Sequence, residues 1–139
     1  MSEQNKALVK RFYTEVFDKK NAAALDALCT ADFVSHGAMP GQAPGLAGVK
    51  ETFKLMFSAF PDFKTNIEEI VAERDIVVTR FSGTATHKGE MMGAKPTGKK
   101  VTFHAIDMLR IKNGKISDAW HQGDEMMVMA GLGAKPPAA

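Results

Sequence analysis

Residues 101–125, VTFHAIDMLRIKNGKISDAWHQGDE, decide how this chain folds. Two runs of alternating apolar and polar residues flank Asn113-Gly114. That dipeptide suits a two-residue type I′ hairpin turn, in which both central residues need positive φ. Such a turn sets Lys112 opposite Lys115, and an uninterrupted ladder then sets Asp107 opposite Trp120 and Phe103 opposite Asp124. Side chains alternate with period two, so one face gathers Phe103, Asp107, Leu109, Ile116, Trp120 and Asp124. The other gathers His104, Ile106, Met108, Ser117, Ala119 and His121. Acids mixed with large apolar groups on one face predict the wall of a pocket. His104 joins the side of Asp124 only if a bulge shifts the alignment.

Upstream of the hairpin, Phe63 to Ala72 and Ile76 to Thr86 carry the same period of two, separated by a turn at Glu73-Arg74-Asp75. Residues 87–98 form a connecting loop. Earlier still the period is helical: Leu8, Val9, Phe12, Val16 and Phe17 recur within residues 3–18. Leu25 and Leu28 recur in a short helix from Ala22 to Cys29, and Val49, Phe53, Met56, Phe57 and Phe60 recur in residues 47–60, which Pro61 stops. Between these, Asp32 to His36 reads as extended, and Gly37 to Gly48, with four glycines and two prolines, reads as a loop. Met126, Met127 and Met129 lie in a closing helix or turn ended by Gly131, Gly133, Pro136 and Pro137. Helices first and then an antiparallel meander predict an α+β fold. A curved sheet folded over those helices leaves a concave space, the usual seat of a small-molecule site.

The 139 residues suit one domain spanning residues 1–139, and 45% hydrophobic content allows a real core. A net charge of +2 with scattered lysines gives no basic stripe, so a nucleic-acid partner is not expected. The six lysines from Lys88 to Lys115 read as solvated loop charges. One cysteine, Cys29, rules out an internal disulfide framework and reads as a small core residue. No stretch approaches the ~20 apolar residues of a membrane span, and the N-terminal residues show no apolar signal core. A cytoplasmic location, without membrane association, is the expectation. His36, His87, His104 and His121 show no compact ligand spacing, so no metal is expected.

Three stretches carry a family resemblance across nearly the whole chain: VKRFYTEVFDKKNAAALDALCTADFVSH, GLAGVKETFKLMFSAFPDFKTNIEEIVAERDIVVTRFSGTATHKGE and PTGKKVTFHAIDMLRIKNGKISDAWHQGD, with Gly131-Leu132-Gly133 near the end. Together they resemble the SnoaL-like polyketide cyclases of the nuclear-transport-factor-2-like superfamily. The resemblance implies a cone-shaped barrel: a strongly curved, mixed, mostly antiparallel sheet wrapped over N-terminal helices. It also implies intramolecular aldol ring closure on a polyketide-type carbonyl compound, with an acid/base aspartate and no metal or other cofactor. The aspartate of the family's closing Trp-x-x-x-Asp pattern corresponds to Asp124, within Trp120-His121-Gln122-Gly123-Asp124.

Asp124 is accordingly the expected proton shuttle, with His36 and His104 as hydrogen-bond donors. A carboxylate that removes a carbon-bound proton needs apolar walls, because desolvation favours its protonated form. Phe103 and Trp120 are the expected walls; Asp107, Phe33, Phe57 and Met92 complete the expected substrate-binding set. Structural readings stand beside these. Asp124 also suits the cap of a helix starting at Glu125, and Asp107 suits a core carboxyl with satisfied hydrogen bonds. His87 reads as structural and His121 as a surface or interface residue. A non-catalytic small-molecule-binding protein and a related isomerase or epoxide hydrolase are the alternative functions of such a cone. The half-apolar face with His104, Ile106, Met108 and Ala119 predicts a homodimer, since a monomer tolerates such a surface poorly.

Overall fold

A computed structural model describes residues 2–37 and 42–135. The middle of the glycine-rich loop and the closing Pro136-Pro137 lie outside the described residues.

The first helix, α1 (Ser2–Phe12), passes directly into a π-helical segment, Tyr13–Asp18. The wider turn shows in i→i−5 bonds from the Lys19 and Asn21 amides to the Thr14 and Val16 carbonyls, each 3.0 Å. π-turns often mark functional sites. Here the segment packs Tyr13 and Phe17 with stacked rings 5.8 Å apart, both buried against the sheet. A short α2 (Leu25–Leu28) leads into β1 (Cys29–Ser35), longer than the extended piece expected. Helix α3 (Leu46–Ala59) ends just before Pro61, as the sequence predicts. Strands β2 (Lys64–Glu73), β3 (Ile76–Thr86), β4 (Lys100–Lys112) and β5 (Lys115–Gly123) follow, and α4 (Glu125–Gly131) closes the described chain.

The sheet order is β1-β5-β4-β3-β2, with β1 parallel to β5 and every other pair antiparallel. This mixed sheet curls over the helices without closing, as the α+β cone requires. Its inner face and the helices share one core that includes Tyr13, Leu25, Leu28, Phe60, Leu109 and Ile116. Cys29 is buried in it, and burial pushes its thiol up to about 12.

The hairpin turn forms as expected: Asn113 and Gly114 have φ of 52° and 75°, and Lys112 pairs with Lys115. The alignment beyond it does not. Ile111 pairs with Ile116, but Arg110 pairs with Asp118, so Ser117 is an extra residue in β5. At this β-bulge the Ser117 hydroxyl donates to Asp118 Oδ1 at 2.7 Å, and its oxygen lies 3.4 Å from the Arg110 carbonyl. Because faces alternate with period two, one inserted residue turns over everything that follows it. Asp107 therefore faces His121, and Met108 faces Trp120, in place of the expected Asp107–Trp120 pair. The expected shared inner face of Asp107, Trp120 and Asp124 is overturned.

The outer face changes in the same way. Ala119 leaves it and Trp120 joins it, giving a row Val71–Val78–Met108–Trp120 across four strands.

Candidate active site

Between the curled sheet and the helices lies a cavity of about 150 Å³. Its walls are largely aromatic and aliphatic: Phe12 and Phe17 from the first helical stretch, Phe53 and Met56 from α3, and Phe103 and Leu109 from β4. One wall carries the charged groups, namely Asp107, His121 and Glu125.

Each of these three arrives there for a local reason. Asp107 alternates inward between Ala105 and Leu109 on β4. His121 points inward because the Ser117 bulge has shifted β5. Glu125 begins α4, four residues after His121, where the chain turns back over the end of β5. Asp107 is buried, so its charge must be compensated. The Tyr13 hydroxyl donates to Asp107 Oδ2 at 2.6 Å, and His121 Nδ1 donates to Oδ1. His121 Nε2 in turn donates to Glu125 Oε1. The result is a chain, Tyr13–Asp107–His121–Glu125, running from the core to the cavity wall.

Electrostatics follow from that order. Burial works against a charged His121 ring, but the hydrogen bonds and negative charges of Asp107 and Glu125 outweigh it and raise its pKa to about 10. His121 is thus an imidazolium at neutral pH. Burial raises the Tyr13 pKa well above the usual phenol value, and the negative charge of Asp107 adds to the effect, so Tyr13 stays a neutral donor.

A raised folded-state pKa gives stability that is fully present below the unfolded value, about 6.5 for histidine, and is lost as pH rises through the folded value. The His121 contribution should therefore fall between about pH 6.5 and about pH 10. Urea unfolding across that range should show the wild-type midpoint declining more steeply than that of His121→Gln. Parallel declines would contradict the assignment.

The residues expected from sequence divide into two groups. Phe33, Phe103 and Asp107 line the cavity. Phe57 is buried beside Phe17 but outside the wall, and Met91 lines the cavity in place of its neighbour Met92. Asp124, His104, His36 and Trp120 are not in the wall. Asp124 lies with His104 on the other side: its Oδ1 accepts the His104 amide at 2.8 Å, and its Oδ2 is 3.4 Å from His104 Nδ1. The bulge produces this pairing. Asp124 occupies the N-cap position of α4, yet its side chain makes no cap bond there.

His36 follows the wall residue Ser35, but its ring turns away and stacks on Trp120, 4.6 Å between centroids and 10° between planes. His36 Nε2 also donates to Asp118 Oδ2 at 2.8 Å; that bond, with one from Ser117, lowers the Asp118 pKa. Arg110 on β4 lies 5.3 Å from the centre of the Trp120 ring. Trp120 is thus flanked by His36, just past the end of β1, and by Arg110 of β4.

His87 is buried and structural, as expected. Its Nδ1 accepts the Thr97 amide at 3.3 Å, tying together the ends of the 87–98 loop.

Sequence reasoning missed His121, Glu125 and Tyr13. The His121-x-x-x-Glu125 spacing was visible, but only the bulge places it inside. Tyr13 lies 94 residues from the carboxylate it holds. Among the described residues, no group of three or more His, Cys, Asp or Glu side chains is arranged to hold a metal ion. Among them, no helix is long and apolar enough to cross a membrane.

Comparison with known proteins agrees with this architecture. The family model described as SnoaL-like polyketide cyclase matches residues 7–132. AclR of Streptomyces galilaeus, provisionally assigned as a hydroxylase, is 27% identical with a TM-score of 0.85, over 100% of this chain and 91% of its own. IdmH of Streptomyces antibioticus, provisionally a polyketide cyclase, is 29% identical with a TM-score of 0.80, over 94% of this chain and 99% of its own. A provisionally assigned polyketide cyclase of Bacillus cereus is 28% identical with a TM-score of 0.80, over 94% of this chain and 80% of its own. No curated protein matches the chain.

Proposed function

Because the chain belongs to the SnoaL-like polyketide cyclase family, we propose that it is a cofactor-free acid–base enzyme closing a ring on a hydrophobic, polyketide-type carbonyl compound. The observation that carries this reading is the charged wall Asp107–His121–Glu125 in a largely apolar cavity, whose other polar lining among the described residues is Ser35, Gln42 and Thr52. Glu125 takes a proton from the carbon beside a substrate carbonyl. The bonding pair moves into the enolate, and the developing oxyanion is stabilised by the positive charge of the adjacent His121 ring, whose two N–H groups stay on Asp107 and Glu125. The enolate carbon then attacks a second carbonyl of the same molecule, forming the ring bond. The resulting alkoxide recovers the proton from Glu125. Atoms balance, and the enzyme returns to its starting state.

Tyr13 and Asp107 act through His121: Asp107 holds its ring and keeps it charged, and Tyr13 holds Asp107. The greasy walls supply orientation and exclude water, which strengthens the charge interactions inside. This assignment moves the proton shuttle from Asp124, where the family resemblance puts it, to groups whose side chains line the cavity.

The direct test is proton exchange. Neutral aryl ketones and β-diketones, offered as a panel in D2O, should lose their α-protons faster with the protein than without it, as read by NMR. Binding of these compounds without any accelerated exchange would favour a non-catalytic small-molecule-binding protein. Hydrolysis of offered epoxides, with no exchange, would favour the hydrolase alternative.

The functional unit is a homodimer formed through the outer sheet face. Val71, Ile106 and Met108 are 54%, 48% and 37% exposed there, with Val71 and Met108 joined through Val78, and apolar side chains grouped on one sheet face suit an interface. Light scattering on a sizing column should give twice the 15.1 kDa chain mass. A monomer at micromolar concentration would remove this part of the reading.

A further inference from the structure

Glu125 reaches His121 by laying its carboxylate over Gly123, at the very end of β5. A Cβ placed on Gly123 would lie 2.6 Å from Glu125 Oε2 and closer still to Oε1. Real Cβ atoms do not approach other atoms so closely, so a side chain at position 123 and the present position of the carboxylate exclude each other. The backbone does not explain the glycine, since Gly123 is not among the positive-φ glycines. It pairs with Ala105 in the ladder, as any residue could. What the position requires is empty space.

We propose that Gly123 is a positioning residue, whose missing side chain is the slot through which Glu125 is brought onto His121. Its importance for turnover rests on the acid–base reading above; its effect on the ion pair does not. The clashing atoms belong to the free end of a flexible side chain. Gly123→Ala should therefore fold normally and simply swing the carboxylate away. His121 then loses one of the two anions that keep it protonated.

The experiment is an NMR titration of the His121 ring in the whole protein, without substrate. Wild-type His121 should titrate at about 10. Gly123→Ala and Glu125→Gln should each lower that value, and the double variant should lower it no further than Glu125→Gln alone, as two changes acting on one contact do. A wild-type titration in Gly123→Ala would overturn the proposal. So would a drop in the double variant beyond that of Glu125→Gln alone.

Should Gly123→Ala fail to fold, Gly123→Ala combined with Glu125→Ala must restore folding, since the clashing group is then gone; continued misfolding would also overturn it. The proton-exchange assay separates the two ideas. If Glu125→Gln keeps full exchange while Gly123→Ala shifts the titration, the slot stands and the catalytic reading falls.

Discussion

Replacing His121 with glutamine should slow substrate α-proton exchange by about 10²- to 10⁴-fold, the usual contribution of a positioned acid–base group. The loss has two physical parts. Glutamine carries no charge, so the oxyanion meets a neutral dipole where the imidazolium stood. Glutamine also cannot bridge two carboxylates as the ring does through its two nitrogens. The fold should survive, because Asp107 keeps the Tyr13 donor and the His121 side chain is 35% exposed, so water can reach the vacated space.

Asp124→Asn is the informative comparison. The Asp124 carboxylate lies outside the cavity wall, bonded to the His104 amide. A larger loss in Asp124→Asn than in His121→Gln would overturn the geometric assignment in favour of the position that the family resemblance implies.

Replacing Asp107 with alanine should cost about 1–3 kcal/mol of folding stability, the usual cost of leaving a buried donor, here the Tyr13 hydroxyl, without its acceptor. Asp107 is 7% exposed and accepts two hydrogen bonds, one from Tyr13 at 2.6 Å and one from the His121 imidazolium. Alanine leaves a fully buried phenol hydroxyl and a half-buried cation with no acceptor between them. Tyr13→Phe is a milder change, since Asp107 then keeps His121, and should fall at the low end of that range.

The two losses share a contact and should not add. Urea unfolding followed by circular dichroism measures both. An Asp107→Ala loss below about 1 kcal/mol, no more than an ordinary hydrogen bond, would mean that the cluster contributes little to holding the helices on the sheet.

The elements of the fold were legible because their signals are local. Periods of 3.6 and 2 located α1, α3 and the four C-terminal strands, Pro61 ended α3, and Asn113-Gly114 set the hairpin turn. The polar residues of the charged wall were also visible as residue types. Their arrangement was not. The Ser117 bulge is a relation between two strands: it is defined by Arg110 of β4 pairing with Asp118 and Ile111 with Ile116, and the alternation of β5 alone does not reveal it. One extra residue exchanged Trp120 for His121 at the inner face and carried Asp124 out to His104.

Tyr13 reached Asp107 by a different route, from a π-helical segment packed against a strand 94 residues further along the chain. The sequence by itself determined which segments are helices and strands and where they turn, because those choices depend on neighbours within a few residues. Only the tertiary structure decided which acids meet which histidine, because in a period-two ladder the facing side is set by pairing across strands and inverts with a single inserted residue.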